Sequence, residues 1–336
     1  EAGKRFFEIS ISQAFKEANR VLKDDGIACI VFAHKSTDAW ETIVNALLES
    51  GLYLTASWPL HTEMPNRMRG HDSAALASSI YMVCKKRTSV ETAYFNELKP
   101  QIEDRIRSKL DQFWSEGIGG SDLFISAIGP SMEVFGKYYR VEKLSGEIVS
   151  AQELLNFVRK SVSEYALSKI LKNPKIGDID VKTRFYLLWR WTYDSVSIPF
   201  DGARLLGQAV GLEIEEHWNN GIIKKSGENI AVLDAKSRGN TFLERKKFDD
   251  MIDILHAGLL YWEANDKKAI ASLLEQTGQM KNSIFWQVAQ AVSEVLPDGE
   301  KEKQMIQGFI YGKDSYEVGI EPAKLVKSQK TLEGWN

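Results

Sequence analysis

Apolar and polar positions alternate along the chain in two rhythms. Over residues 10–22 (SISQAFKEANRVL), Ile11, Phe15, Ala18, Val21 and Leu22 recur at helical spacing and define one apolar face. Lys23-Asp24-Asp25-Gly26 stops that pattern, and Gly26 suits a left-handed helix cap. GIACIVFA (26–33) is a short unbroken apolar run, the length of a strand covered on both faces. Ser36 or Thr37 can then cap a helix through Ser50, with Trp40, Ile43, Val44 and Leu47 as its stripe and Gly51 as its end. LYLTASWPL (52–60) and SSIYMVCKK (78–86) predict two more strands. The helix between the first two strands makes a right-handed parallel unit. Only a loop joins the second to the third, so the third runs antiparallel.

The rest of the chain reads differently. Val90–Glu116 predicts a long charged amphipathic helix broken at Pro100, and Gly129-Pro130 and Ser145-Gly146 signal turns. Helices are predicted over 150–171, 180–195, 201–210, 248–263, 267–276, 283–295 and 300–310. GIIKKSGENIAVLD (221–234) alternates about a Ser226-Gly227 turn, a short hairpin. The expected organisation is α/β and then mostly α. A sheet domain covers 1–90, a mixed connector 91–150, a helical domain 151–312 and a polar tail 313–336.

The formal net charge of -3 excludes a uniformly basic surface, so any nucleic-acid contact must come from a local patch. Cys29 and Cys84 both sit in apolar strand-like runs. Two buried thiols without CxxC spacing point to a reducing, cytoplasmic setting and away from zinc. No signal peptide and no membrane span is read.

Ligands of open parallel sheets bind beyond the carboxyl ends of the strands. That rule places His34 and Lys35 on the rim after the first strand. Loop 61–77 (HTEMPNRMRGHDSAALA) leaves and re-enters on the same rim, carrying His61, Glu63, Asn66, Arg67, Arg69, His71 and Asp72. A connection of this length is either a working loop or a solvated excursion. Arg67 and Arg69 could hold phosphates, and His61 or Asn66 could line a pocket. His34, His61 and His71 fit no zinc spacing. GIGGSD (117–122) joins no strand to a helix start and reads as a turn. No phosphate-cradling glycine loop, no HExxH and no DPPY-type tetrapeptide for a flipped base occurs.

Residues 201–234 read as helix, Gly211 turn, helix and two-stranded wing, similar to a winged helix. Lys224 and Lys225 lie on the wing, with Lys236 and Arg238 beside it. Glu213, Glu215 and Glu216 make the second helix a poor reader of DNA. In RFYLLWRWTY (184–193), Phe185, Leu188, Trp189 and Thr192 share a core-facing side, and Trp191 or Tyr193 could instead stack on a base.

The strand order of 15–87 resembles the last third of a methyltransferase domain that uses S-adenosylmethionine, a partial Rossmann-like sheet. FKEANRVLKDDG, FAHKSTDAWE, WPLHTEM and ALASSIYMVCKKR together resemble the large adenine-specific DNA methylases that carry a zinc ribbon. DLFISAIGP, RFYLLWRW, KKSGENI and FWQVAQAVSEVLP resemble the helical C-terminal part of that family. The resemblance implies methyl transfer from S-adenosylmethionine to N6 of adenine in DNA, in a prokaryotic host and often in genome defence. The family's cofactor loop, zinc ribbon and DPPY-type motif precede the matching part, so the chain is expected to be catalytically incomplete. Its partners would be DNA and the missing N-terminal portion or another chain. Only WPLHTEMPNR carries over, as a rim loop facing DNA or the target base. The alternative reading is a non-catalytic DNA- or protein-binding module.

Overall fold

The computed structural model describes residues 2–33, 37–61, 78–172, 176–218, 221–245 and 247–318. Helix α1 (Ala2–Val21), strand β1 (Ala28–Phe32), α2 (Thr37–Ser50), β2 (Leu52–His61) and β3 (Ser78–Lys86) follow in order. Across the sheet the order is β1-β3-β2, and β3 runs antiparallel to both neighbours. β1 and β2 therefore point the same way, as the connection between them requires, and the third strand lies between them. Gly51, at φ +78°, makes the tight turn from α2 into β2. Gly26 is not left-handed. It is needed for space, because a Cβ there would sit 2.8 Å from Leu22 Cδ1 and 2.9 Å from the Lys23 carbonyl.

The sheet is buried on one face only. Leu52, Leu54, Ile80, Met82 and Cys84 are buried on the side of Trp40, Ile43 and Leu47 from α2, and Phe32 meets Trp40 edge-on at 4.9 Å. On the other face Cys29, Val31, Trp58 and Leu60 are exposed. The expectations of a strand covered on both sides and of two buried thiols are thus corrected. The described helices that flank β1 in sequence lie on one side, and period-two alternation sends Cys29 and Val31 to the other. A bulge between Leu54 and Ala56 leaves Thr55 without a register partner, and its hydroxyl donates to the Val83 carbonyl at 3.0 Å.

Residues 91–150 pack into the core of the sheet. β4 (Thr92–Tyr94) pairs in parallel with β5 (Arg140–Glu142), so the following helix, α3 (Phe95–Ser115), starts later than the charge pattern suggests. α3 is continuous through Pro100. The proline forfeits one backbone hydrogen bond, and the burial of Phe95, Leu98, Ile102, Ile106, Leu110 and Phe113 outweighs it. The turn expected at Gly129-Pro130 is instead the start of α5 (Ile128–Phe135), which follows α4 (Gly120–Ser126). α5 runs along the outer edge of β2, with Gly129 against Ser57 and Gly136 against Tyr53. Among the described residues no strand pairs with the outer edge of β1.

α6 (Ala151–Ile170) opens on a capping box: the Ser150 hydroxyl accepts from the Glu153 N–H, and the Glu153 carboxylate accepts from the Ser150 N–H. Leu154, Leu155, Val158, Val162 and Tyr165 serve the core of the sheet, and Ala166, Leu167 and Ile170 serve a second, helical core. That second core is built by α7 (Val181–Tyr193), α8 (Phe200–Val210), α9 (Ala235–Arg238), α10 (Met251–Glu263), α11 (Lys267–Gln276), α12 (Ser283–Val295) and α13 (Lys301–Tyr311). The stretch expected as a polar tail begins with a further helix, α14 (Lys313–Val318). Tyr316 is buried there and donates to the Phe309 carbonyl at 3.0 Å.

Candidate functional site

The register of the sheet locates the edge that the rim-loop expectation singles out. Phe32 of β1 and Pro59 of β2 both stand opposite Ile80, and His61 stands opposite Ser78. Segments 34–36 and 62–77 therefore join the sheet at the same edge, the carboxyl ends of β1 and β2. His61 is the last residue of β2. His34, Lys35, Glu63, Asn66, Arg67 and Arg69 lie outside the described residues.

The open face beside that edge carries residues that the sequence reading passed over. Trp58 and Val31 are both register partners of Tyr81, so the three form one row across the strands. Trp58 is 45% exposed, and Tyr81 is half-buried. Lys109 of α3 places Nζ 5.3 Å from the centre of the Trp58 ring. Lys85, register partner of Tyr53, is exposed on the same face. The signal was in the sequence: alternation puts Trp58 and Leu60 on one side of β2. Alternation alone does not say which of the two sides stays open.

In the second half, β7 (Ile223–Ser226) and β8 (Asn229–Val232) form the expected hairpin about Gly227, at φ +62°. β6 (Ile198–Pro199) adds a third strand in the order β6-β8-β7. Gly211 is left-handed, as its turn demands. The second helix expected over 212–219 shrinks to one 3-10 turn, Ile214–His217: the buried anchors Leu212 and Ile214 are two residues apart with exposed Glu213 between them, which is not helical spacing. Lys224 is exposed on the wing. Lys225 folds back, its ammonium 4.2 Å from the centre of the Trp218 ring and 5.8 Å from that of Phe200. Trp191 stacks on Trp114 at 5.5 Å and 19°, at the seam of the two cores, so it packs rather than presents.

A buried charge network ties the helical core together, and no spacing motif announced it. Lys182 bonds both Asp250 and Asp253, Asp253 pairs with Arg238 at 2.8 Å, and Arg238 reaches His256 Nδ1 at 3.2 Å. His256 Nε2 lies 3.3 Å from Glu302, which also accepts from the Tyr186 hydroxyl at 2.9 Å and the Ala235 N–H at 3.1 Å. Arg190 bonds Glu300 and lies 3.7 Å from Glu302. Burial lifts the Asp253 carboxyl, but Arg238 and Lys182 outweigh it and hold it below its ordinary value. Enclosed between helices, these groups clamp α7, α9, α10 and α13 and offer nothing to a ligand.

A groove of about 750 Å³ separates α3 from α6. Within it Asp111 accepts from Tyr165 at 2.8 Å and Lys169 at 2.7 Å, and Lys172 pairs with Glu294 at 2.8 Å. Among the described residues no cluster of His, Cys, Asp and Glu could hold a metal, and no helix is long and apolar enough to cross a membrane.

Comparison with protein-family models, curated proteins and solved structures finds no match to this chain.

Proposed function

We propose that the chain is the closing portion of an S-adenosylmethionine-dependent DNA adenine-N6 methyltransferase, catalytically incomplete by itself. One observation carries the reading. Two strands that point the same way enclose an antiparallel third, and the outer edge of the first has no strand partner among the described residues. A Rossmann-like methyltransferase sheet closes in that manner, and its earlier strands would pair along that edge. An open row of backbone donors and acceptors is otherwise a liability for a soluble chain.

The residues present do not fit the methyl donor. The single crossover of the sheet, residues 33–37, contains no glycine to let backbone approach a cofactor. No DPPY-type tetrapeptide is available to hold a base. No chemical step is therefore assigned to this chain. Its contribution is the rim loop and the faces around it.

Two measurements test the reading. Calorimetric titration of the chain with S-adenosylmethionine should show no micromolar binding. Any longer polypeptide encoded in frame with the chain should transfer labelled methyl groups to adenine in DNA. A frame without a glycine-rich cofactor loop and a DPPY-type motif would end the proposal.

A second reading, a nucleic-acid or protein-binding module, draws on the helical half. The succession α7, β6, α8, 3-10 turn, β7, β8 with strand order β6-β8-β7 supports a winged-helix-like reading. The recognition position is the short acidic turn Ile214–His217, so contact by Lys224 on the wing is favoured over groove reading.

A further inference from the structure

We propose that the open face of the sheet at Trp58 and Tyr81 is a stacking platform for unpaired nucleobases of a single-stranded or locally opened nucleic acid. The inference rests on the nucleic-acid reading above for its ligand class and adds the surface that would hold it.

Three observations meet at this place. The first is adjacency. Trp58 and Tyr81 are register partners on neighbouring strands, so their side chains leave the same face side by side. Both rings sit where a sheet normally hides or avoids them: Trp58 is half exposed, and Tyr81 is partly so. An aromatic pair on an open sheet face is the arrangement by which sheets stack bases, because every base offers a π-face.

Charge is the second. Lys109 reaches over the Trp58 ring from α3, and Lys85 stands exposed on the same face two rows along. Neither has a carboxylate partner among the described residues. The strand positions of this face are Cys29, Val31, Tyr53, Ala56, Trp58, Leu60, Ser79, Tyr81, Val83 and Lys85, and none is acidic. In the free protein Lys109 covers the indole by cation–π attraction. When a base takes that ring, the flexible lysine can move to the adjacent phosphate. An apolar protein helix on this face would leave both ammonium groups without anions, so a nucleic acid fits better.

Position is the third. Trp58 lies three residues before His61, at the carboxyl end of β2 and therefore on the edge where the two rim segments join. A base taken out of a duplex at that rim needs a surface to rest on.

The test uses the full chain, fluorescein-labelled dT12 and rU12, and a 12-base-pair duplex, followed by anisotropy and by tryptophan fluorescence. The single strands should bind and quench tryptophan emission, and the duplex should bind more weakly. Trp58→Ala should weaken dT12 binding about tenfold or more, Trp58→Phe should retain most of it, and Lys109→Ala should lower the salt dependence by about one counterion. A preference for dT12 or rU12 identifies DNA or RNA as the source of the bases. Circular dichroism checks that each variant folds. Equal affinity of Trp58→Ala and the parent for dT12, preference for the duplex, or no binding of either strand overturns the proposal and leaves the face to a protein partner. The assay involves no methyl donor. The methyltransferase reading can thus fail while Trp58-dependent binding stands, or hold while the platform falls.

Discussion

His256 lies between Arg238 and Glu302, with Nδ1 3.2 Å from the guanidinium and Nε2 3.3 Å from the carboxylate. A guanidinium only donates, so Nδ1 accepts and the ring proton sits on Nε2, facing Glu302. The imidazole is neutral in the fold, because burial holds its pKa below the ordinary histidine value.

That arrangement makes the helical core acid-labile. The pKa of His256 is lower folded than unfolded, so the unfolded chain binds the extra proton first. Stability is complete above the unfolded value of about 6.5 and falls as pH drops toward the folded one. Burial raises the Glu302 carboxyl, but the His256 hydrogen bond, Arg190 and Tyr186 outweigh it and hold it low, so its contribution is also lost in acid. Melting temperature should decline as pH falls below about 6.5, and His256→Gln should flatten the upper part of that decline. A slope unchanged by the substitution would place the proton elsewhere.

Glu302 should be the costliest single residue of the network. Glu302→Ala removes the acceptor shared by Tyr186, His256 and the Ala235 N–H and leaves Arg190 with only part of its compensation. Breaking a buried pair on one side costs about 3–5 kcal/mol. Urea unfolding of the variant measures it, and a loss under 1 kcal/mol would contradict the burial of the pair.

Gly129 should not tolerate a side chain. An added Cβ would run into the hydroxyl and Cβ of Ser57, which packs beneath α5. Gly129→Ala should destabilise by about 1–3 kcal/mol, as overpacking does. Ser57→Gly in the same chain should recover part of the loss, since it removes both clashing atoms. Chemical denaturation of the two variants and their combination reads the coupling directly.

The two cysteines report the one-sidedness of the sheet. Cys29 is exposed, whereas Cys84 is buried on the opposite face with its thiol pushed up to about 12 by burial and by Cys29. Brief treatment of the folded chain with iodoacetamide should add one label, at Cys29, and unfolding should expose the second. Two labels in the native state would mean that the buried face opens.

The capping box at the head of α6 should be worth about 1 kcal/mol, so Ser150→Ala should lower stability by that amount. Thermal melting checks it.

Where sequence and structure agree, a strong local pattern met a geometric constraint. SSIYMVCKK is legible as the strand β3, and its direction follows from the missing crossover helix. The hairpin about Gly227 followed from the same logic. Pro100 and Gly129-Pro130 do not break the chain where local propensity predicts it: the buried face of α3 offsets the hydrogen bond lost at Pro100, and Pro130 stands in the first turn of α5, where an N–H has no partner within the helix. β4 and β5 were invisible, since strands of three residues carry no period. The buried clamp was invisible for another reason. Lys182, Arg238, His256 and Glu302 are far apart in sequence, and each reads as an ordinary polar position until the helices bring them together. Of the candidate residues, the rim position of His61 followed from strand direction, whereas Trp58 required knowing which face of the sheet stays open.

One rod, α6, has its first four turns in one hydrophobic interior and its last in the other. Neither interior can melt without stripping a wall from its neighbour. On heating, the sheet half and the helical half should therefore come apart together, in one calorimetric peak, although the sequence divides them by character.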